Sequence, residues 1–265
     1  MLQLNHIHHA DALELLPTFP AESVHLVIAD PPYFRVLKES WDNQWSDEAA
    51  YLDWSMTWLR EAMRVLVPGG LCYVFGQVGK REHVWLHLMS AATREFGFHD
   101  LLIWDRVVGY NTRRDSFDPA FEQILVLCKS GAPARFDKDA VREAYNDATK
   151  ERYLKDNRYA DLEKRRAHLE KGKWATNIWR VPSLKGSSKE KVGHPAQKRL
   201  QLLERLVLSS SRAGDLVLDP FCGSGSSLVA AKREKRYFVG IECEEKWVEI
   251  ARARLRCELA ASKRA

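Results

Sequence analysis

The passage from Val24-His25-Leu26-Val27-Ile28-Ala29 into Asp30-Pro31-Pro32-Tyr33 constrains this chain more than any other stretch. The apolar, β-branched run reads as a buried strand. Two successive prolines then fix φ and remove two backbone donors, so the turn is rigid and its carbonyls point outward. Such a turn can present a carboxylate, a bare carbonyl and a ring face to one ligand. In an open α/β sheet, ligands bind at that end of the strands. Taken locally, the residues also fit an ordinary strand exit with prolines as breakers, and the rest of the chain has to decide.

Around this stretch, strand and helix signals alternate. Residues 2–8 alternate as a short strand, and Asp11 follows as a helix N-cap. Residues 34–45 are irregular, aromatic and charged, and read as a mobile loop beside the Asp30 turn. A helix opens at Ser46-Asp47-Glu48 and carries Leu52, Met56, Leu59, Met63 and Leu66 on one face. Pro68-Gly69-Gly70 is expected to end it. A strand over 71–75, a helix over 82–95, and strands over 101–104 and 124–127 follow. This is the rhythm of a doubly wound, mostly parallel sheet. The last two strands have only a loop between them, so antiparallel pairing at an edge is expected. With 265 residues and 45% hydrophobic content, the chain can bury the core of one large or two small domains.

The charge is unevenly spread. The formal net charge is +5, yet residues 135–199 hold 18 Lys and Arg against 10 Asp and Glu, a net of +8 that leaves the remainder at −3. A positive field on an otherwise neutral body suits a polyanion-binding surface. A solvated helix laced with i,i+4 pairs around Lys164-Arg165-Arg166 fits part of the same pattern. The change in texture after residue 133 marks residues 134–193 as an insert between residues 1–133 and 194–265. Helical periodicity resumes after Pro195, a residue suited to a first helical position. Leu200, Leu203, Leu206 and Val207 form that helix's apolar face, and Gly214 closes it. No stretch is long and apolar enough to span a membrane, and the start lacks the layout of a signal peptide. Five cysteines without a C-x-x-C pair argue for a reducing cytoplasm. His6, His8 and His9 have no partner cluster at ligand spacing, so no metal is expected.

A second constellation lies late in the chain. Leu216-Val217-Leu218 runs into Asp219-Pro220-Phe221-Cys222-Gly223-Ser224-Gly225-Ser226, then a helix, then a strand over 237–241 that ends at Glu242. Strand, glycine-rich turn, helix, strand and acid form the plan of a nucleotide-type binding half-unit. No G-x-x-x-x-G-K-[ST] is present, and Leu228 fills the third glycine position of G-x-G-x-x-G. A phosphate-free adenosine needs the ribose acid but no anion cradle, and S-adenosylmethionine is such a ligand. A plain tight βα turn is the alternative for the glycines alone.

With both constellations in view, the sequence resembles the permuted β group of DNA amino-methyltransferases, adenine-N6 type. The resemblance rests on Asp30-Pro31-Pro32-Tyr33 early, His194-Pro195-Ala196-Gln197-Lys198 in the middle and Phe221-x-Gly223-x-Gly225 late. Arg199 stands where the family usually has proline, and Cys222 occupies a variable position. The resemblance implies a doubly wound, mostly parallel seven-stranded sheet with helices on both faces, with residues 1–133 as its catalytic half, 134–193 as a target-recognition insert and 194–265 as its cofactor-binding half. It implies that Asp30, Pro31, Pro32 and Tyr33 are catalytic. It also implies that S-adenosylmethionine contacts Asp11, Ala12, Asp30, Lys198, Asp219, Phe221, Gly223, Ser224, Gly225, Ser226, Glu242 and Cys243.

The reaction expected is methyl transfer to an exocyclic amine of a flipped-out base in double-stranded DNA. Asp30 and the Pro31 carbonyl would accept the two amine hydrogens, and Tyr33 would stack on the base. DNA contacts are expected from 135–199 and from Arg106, Arg113 and Arg114. A homodimer, a cognate restriction endonuclease and a bacterial or phage-type host are the implied context. Cytosine-N4 methylation is the alternative, although serine is usual there in place of Asp30. A catalytically inactive DNA-binding protein on the same fold is the reading of a different class. Cytosine-C5 chemistry needs a cysteine nucleophile, and no Pro-Cys dipeptide occurs here.

Overall fold

Among the described residues, short runs of aliphatic and β-branched residues make eight strands, and all eight join one sheet. The computed structural model describes residues 2–78, 83–109, 114–156 and 161–262. In chain order its elements are β1 (His6–His9), α1 (Ala12–Leu15), β2 (Val24–Ala29), α2 (Glu48–Val65), β3 (Leu66–Gly76), α3 (Val84–Glu95), β4 (Gly97–Asp105) and β5 (Phe121–Cys128). They continue with α4 (Asp147–Lys155), α5 (Leu162–Lys171), β6 (Ile178–Arg180), α6 (Leu200–Ser210), β7 (Leu216–Asp219), α7 (Ser226–Arg233), β8 (Tyr237–Glu242) and α8 (Glu245–Ser262).

The sheet order is β1-β8-β7-β2-β3-β5-β4-β6. Every pairing is parallel except the two that β5 makes, so β5 runs against the other seven strands. Its first residues therefore lie at the edge where its neighbours' last residues lie: Glu122 is opposite Trp104, and Gln123 is opposite Gly76. Side chains alternate between the two faces. Leu26, Ile28, Tyr73, Phe75, Ile124 and Val126 pack under α6, α7 and α8. Val27, Ala29, Cys72, Val74, Leu125 and Leu127 pack under α1, α2 and α3. The layered, doubly wound plan read from the sequence is the one observed.

Several details differ from expectation. The sheet has eight strands rather than seven, because residues 178–180 of the insert add β6 beside β4. Pro68-Gly69-Gly70 lies inside β3, after α2 has ended at Val65. Pro195 precedes α6 by a turn: the Glu190 carboxylate accepts the Leu200 N–H (2.6 Å), and Gln197 ties Val192 N (2.9 Å) to the Glu190 carbonyl (2.7 Å). Gly214 shapes the entry to β7 at φ +85° and donates to Lys235 O (2.9 Å), while α6 stops at Ser210. The helix expected from Glu82 is observed from Val84, with Glu82 itself outside the described residues.

Within the insert, α4 buries no side chain and α5 buries only Leu169. The Arg165 guanidinium donates to the Tyr153 carbonyl at the end of α4 (2.9 Å) instead of pairing along its own helix. Among the described residues, no helix is long and apolar enough to cross a membrane.

Candidate active site

A cavity of about 450 Å³ opens at the C-terminal edge of the central strands. Strands β2 and β7 are adjacent at the middle of the sheet, which brings the Asp30 turn and the Asp219 turn onto one wall. Asp11, Ala12, Asp30, Pro31, Pro32, Tyr33, Lys198, Asp219, Phe221, Gly223, Ser224, Ser226, Glu242 and Cys243 all line the cavity. Gly225 is the exception. It holds the left-handed N-cap of α7 (φ +75°), and a Cβ there would come within 2.8 Å of the Ala251 Cβ. Its lack of a side chain lets α8 approach.

The loop after Tyr33 is wound around a buried acid. Asp42 accepts the backbone N–H groups of Tyr33 (2.7 Å) and Leu37 (2.8 Å), and burial pushes its carboxyl up to about 6. On the other side of the turn, Tyr51 donates to the Pro32 carbonyl (3.0 Å). The Pro31 carbonyl accepts from none of the described residues.

Four charged side chains meet behind the turn. Lys198 Nζ lies 2.9 Å from Asp30 Oδ1 and 3.1 Å from Glu122 Oε2. Arg106 donates to the other Glu122 oxygen at 2.9 Å. Tyr33 Oη donates to Asp30 Oδ1 (2.8 Å) and lies 3.3 Å from Glu122 Oε2. The ring faces of Phe75, Tyr33 and Trp104 surround the ammonium, with centroids 5.2, 5.4 and 5.7 Å away. Burial pushes the Asp30 carboxyl up, and the adjacent ammonium only partly pulls it back. Burial would lower Lys198, but Asp30 and Glu122 outweigh it and hold the ammonium above its usual value.

The other end of the cavity is acidic and aromatic. Glu242 accepts Gly223 N (2.8 Å) and Glu244 N (2.9 Å), which straps the glycine turn to the end of β8. Its Oε1 also accepts the Cys243 thiol (3.7 Å), while Oε2 keeps a lone pair for a further donor. Gly223 sits at φ +49°, and a Cβ there would come within 3.0 Å of the His194 ring. That ring stacks on Trp41 and meets Trp247 edge-on, with centroids 5.9 and 4.4 Å away. Burial and the Lys198 charge hold its imidazole down to about 4, so it is neutral. Phe221 rests against Trp54 and Trp58 (5.5 and 5.1 Å). Asp219 accepts the Phe221 N–H (3.0 Å) and the Ser227 hydroxyl, and burial pushes it up to about 7. The carboxylates of Asp11, Asp219 and Glu242 suit a ligand with hydroxyls and positive charge and disfavour a polyphosphate.

Two sequence expectations need correcting. Arg106 is buried against Glu122 rather than turned towards a polyanion, whereas Arg114 is exposed. Arg113 lies outside the described residues. Some insert cations are also engaged internally, Arg135 with Asp215 (2.8 Å) and Arg142 with Asp139 (2.6 Å), whereas Arg180 pairs with Asp105 (2.8 Å) but stays exposed. Sequence reasoning missed Glu122, Asp42 and Trp41. Glu122 carried a signal, because it shares the inward face of β5 with Ile124 and Val126, and a charge at a core position implies a buried partner.

Residues 24–253 match the N6/N4 methyltransferase family model, described as DNA methylase. The type II methyltransferase M2.DpnII of Streptococcus pneumoniae is 32% identical over 94% of this chain and 89% of its own length. The DNA adenine methyltransferase YhdJ of Escherichia coli K12 is 30% identical over 94% of this chain and 82% of its own. Among solved structures, the DNA modification methylase TTHA0409 of Thermus thermophilus in complex with S-adenosyl-L-methionine superposes with a TM-score of 0.63 at 26% identity, covering 96% of this chain and 93% of that one.

Proposed function

The chain belongs to the N6/N4 DNA methylase family, S-adenosyl-L-methionine-dependent enzymes that methylate DNA, and from that premise we propose that its target is N6 of a flipped-out adenine. The observation that carries the proposal is the pair of open acceptors at the turn. Both contacts to the Asp30 carboxylate fall on Oδ1, leaving Oδ2 without a partner among the described residues, and the Pro31 carbonyl beside it is equally unengaged. An exocyclic amine is a weak nucleophile because its lone pair is delocalised into the ring. Two acceptors, one for each amine hydrogen, draw that nitrogen towards a tetrahedral form and aim the lone pair. The catalytic contribution is position and a fixed field.

Glu242, Asp11, Asp219, Phe221 and the backbone of the glycine turn would hold the cofactor. When bound, the cofactor supplies an activated methyl group. Asp30 acts as an acceptor rather than a strong base, since the proton becomes acidic once the nitrogen carries the methyl. Tyr33, with its hydroxyl tied to Asp30, has a ring that lines the cavity for stacking by the target base. Aspartate in place of serine at position 30 favours adenine over cytosine N4, and the likeness to YhdJ agrees.

Residues 134–193 serve in this reading as the target-recognition insert. Exposed Arg152, Lys155, Lys164, Arg166, Lys171, Lys173, Lys185 and Lys189 would meet phosphates. Exposed Phe136, Tyr153 and Trp174 on the same segment would supply apolar contacts. The same reading makes a homodimer and a cognate endonuclease the expected partners, and the cytoplasm the expected location. Light scattering of the purified chain and a restriction assay on unmodified DNA test the two partners.

The test of function is transfer of labelled methyl groups to DNA, with the modified base and its sequence context identified. Labelled N6-methyladenine is expected, and N4-methylcytosine alone would overturn the adenine assignment. Asp30→Ala should abolish transfer and leave DNA affinity unchanged. Equal loss of both would make the turn structural.

A further inference from the structure

We infer that Glu122, on the one reversed strand of the sheet, is a positioning residue for methyl transfer: it draws the Lys198 ammonium to one side of the catalytic carboxylate so that Asp30 keeps a free oxygen for the amine. The inference rests on the methyltransferase reading and adds a residue outside the Asp-Pro-Pro-Tyr turn.

The geometry is that of a tug between two carboxylates. Lys198 Nζ is nearly equidistant from Asp30 Oδ1 (2.9 Å) and Glu122 Oε2 (3.1 Å), and Tyr33 Oη is within 3.4 Å. An ammonium has three protons, and these three acceptors match them. A lysine facing Asp30 alone would be free to straddle both carboxylate oxygens and mask the acceptor that the amine needs. Glu122 prevents this because it cannot itself move. Arg106 holds its far oxygen at 2.9 Å, and its backbone is locked in β5 between β3 and β4. All three charged partners of Asp30 in this chain of contacts, Lys198, Glu122 and Arg106, are buried. Their fields are therefore little screened by water. Formal charges sum to zero across Asp30, Lys198, Glu122 and Arg106, which lets the group remain ionised in the interior.

The groups facing this cluster set its pH behaviour. Asp30 faces Lys198, Glu122 and Tyr33, with the charges of Asp42 and Asp219 felt from either side. Glu122 pushes both the Asp30 carboxyl and the Lys198 ammonium upward. Removing its charge must therefore move both downward. A residue that merely supported the fold would move neither.

The experiment measures kcat against pH, together with the dissociation constant for S-adenosyl-L-methionine, for the native enzyme, Glu122→Gln, Glu122→Asp and Arg106→Gln. For Glu122→Gln we expect kcat to fall roughly a hundredfold, the scale of a misplacement of about 1 Å, with cofactor affinity unchanged. We also expect the acid limb to move to lower pH and an alkaline limb to enter the measurable range. Glu122→Asp, which keeps the charge, should restore the native limb and part of kcat. Arg106→Gln, which releases the far Glu122 oxygen, should lower kcat with cofactor affinity unchanged, and it serves as the deciding variant if Glu122→Gln does not bind cofactor. Unmoved limbs in folded Glu122→Gln, or equal losses in kcat and cofactor affinity, overturn the inference. Absence of methyl transfer by the native enzyme would instead overturn the functional reading beneath it.

Discussion

Replacing Asp219 by asparagine should make the protein more stable, and increasingly so as pH rises. Asp219 is only 5% exposed at the end of β7, and burial raises its carboxyl from 3.8 to about 7, with the Asp30 and Glu242 charges adding to the effect. A carboxyl raised in the folded state favours folding below its unfolded value and opposes folding progressively as pH climbs to the folded value. The opposition amounts to about 1.7 kcal/mol at pH 5 and grows to about 4 kcal/mol by pH 8, where it levels off. Asparagine removes the whole of it. Its carbonyl can still accept the Phe221 N–H, and the Ser227 hydroxyl can rotate to accept from the new amide, so the loss in hydrogen bonding is about 1 kcal/mol. The variant should thus be near neutral at pH 5 and more stable by about 3 kcal/mol at pH 8. Urea unfolding of both proteins at intervals from pH 5 to pH 8 measures the difference directly. A stability difference that stays constant over that range would refute the reasoning, because it would mean that Asp219 titrates alike in both states.

Three further outcomes follow from the packing. Gly225→Ala places a Cβ 2.8 Å from Ala251 at φ +75°, and a loss of about 1–3 kcal/mol should appear in its melting curve; an unchanged melt would show that α8 yields freely. Trp58→Ala empties a site that is 0% exposed and removes the edge-on support of Phe221. A cost of about 3–5 kcal/mol is expected, together with weaker cofactor binding by calorimetry; full affinity would separate Phe221 from the ligand. Cys243 is exposed and lines the cavity, whereas Cys257 is exposed on α8. Bound cofactor should shield Cys243 alone from alkylation, read by mass spectrometry, and equal labelling of both would place the ligand elsewhere.

Local signals carried much of the fold. The runs ending at Asp30, Asp219 and Glu242 are buried strands because their apolar content is contiguous, and the acids stand where those runs stop. The Asp47 cap and the apolar face of α6 were likewise written in neighbouring residues. What could not be read is what depends on strand order. Tyr33 and Glu122 are 89 positions apart, and Lys198 is 165 from Tyr33. Nothing local says that the strand starting at Phe121 inserts reversed beside β3. The start of α6 was misplaced for a related reason, since its first N–H is capped by Glu190, ten positions upstream. The basic insert misled in another way. A charge count does not distinguish cations turned outward from Arg135 and Arg142, which are committed to carboxylates.

The central place of β2 also governs how the enzyme comes into being. One side of β2 pairs with β3, made soon after it, but its other neighbour is β7, made on the order of 190 residues later. At typical synthesis rates the nascent strand waits roughly 10–40 s for that partner. During that interval Val24–Ala29 is an open apolar edge, the kind that invites pairing with another chain. The Asp30 turn also has no opposing wall until the glycine turn arrives. A chain that stops before the glycine turn therefore carries the Asp-Pro-Pro-Tyr sequence without its opposing wall, and a competent site forms only after β7 and residues 219–226 have been made.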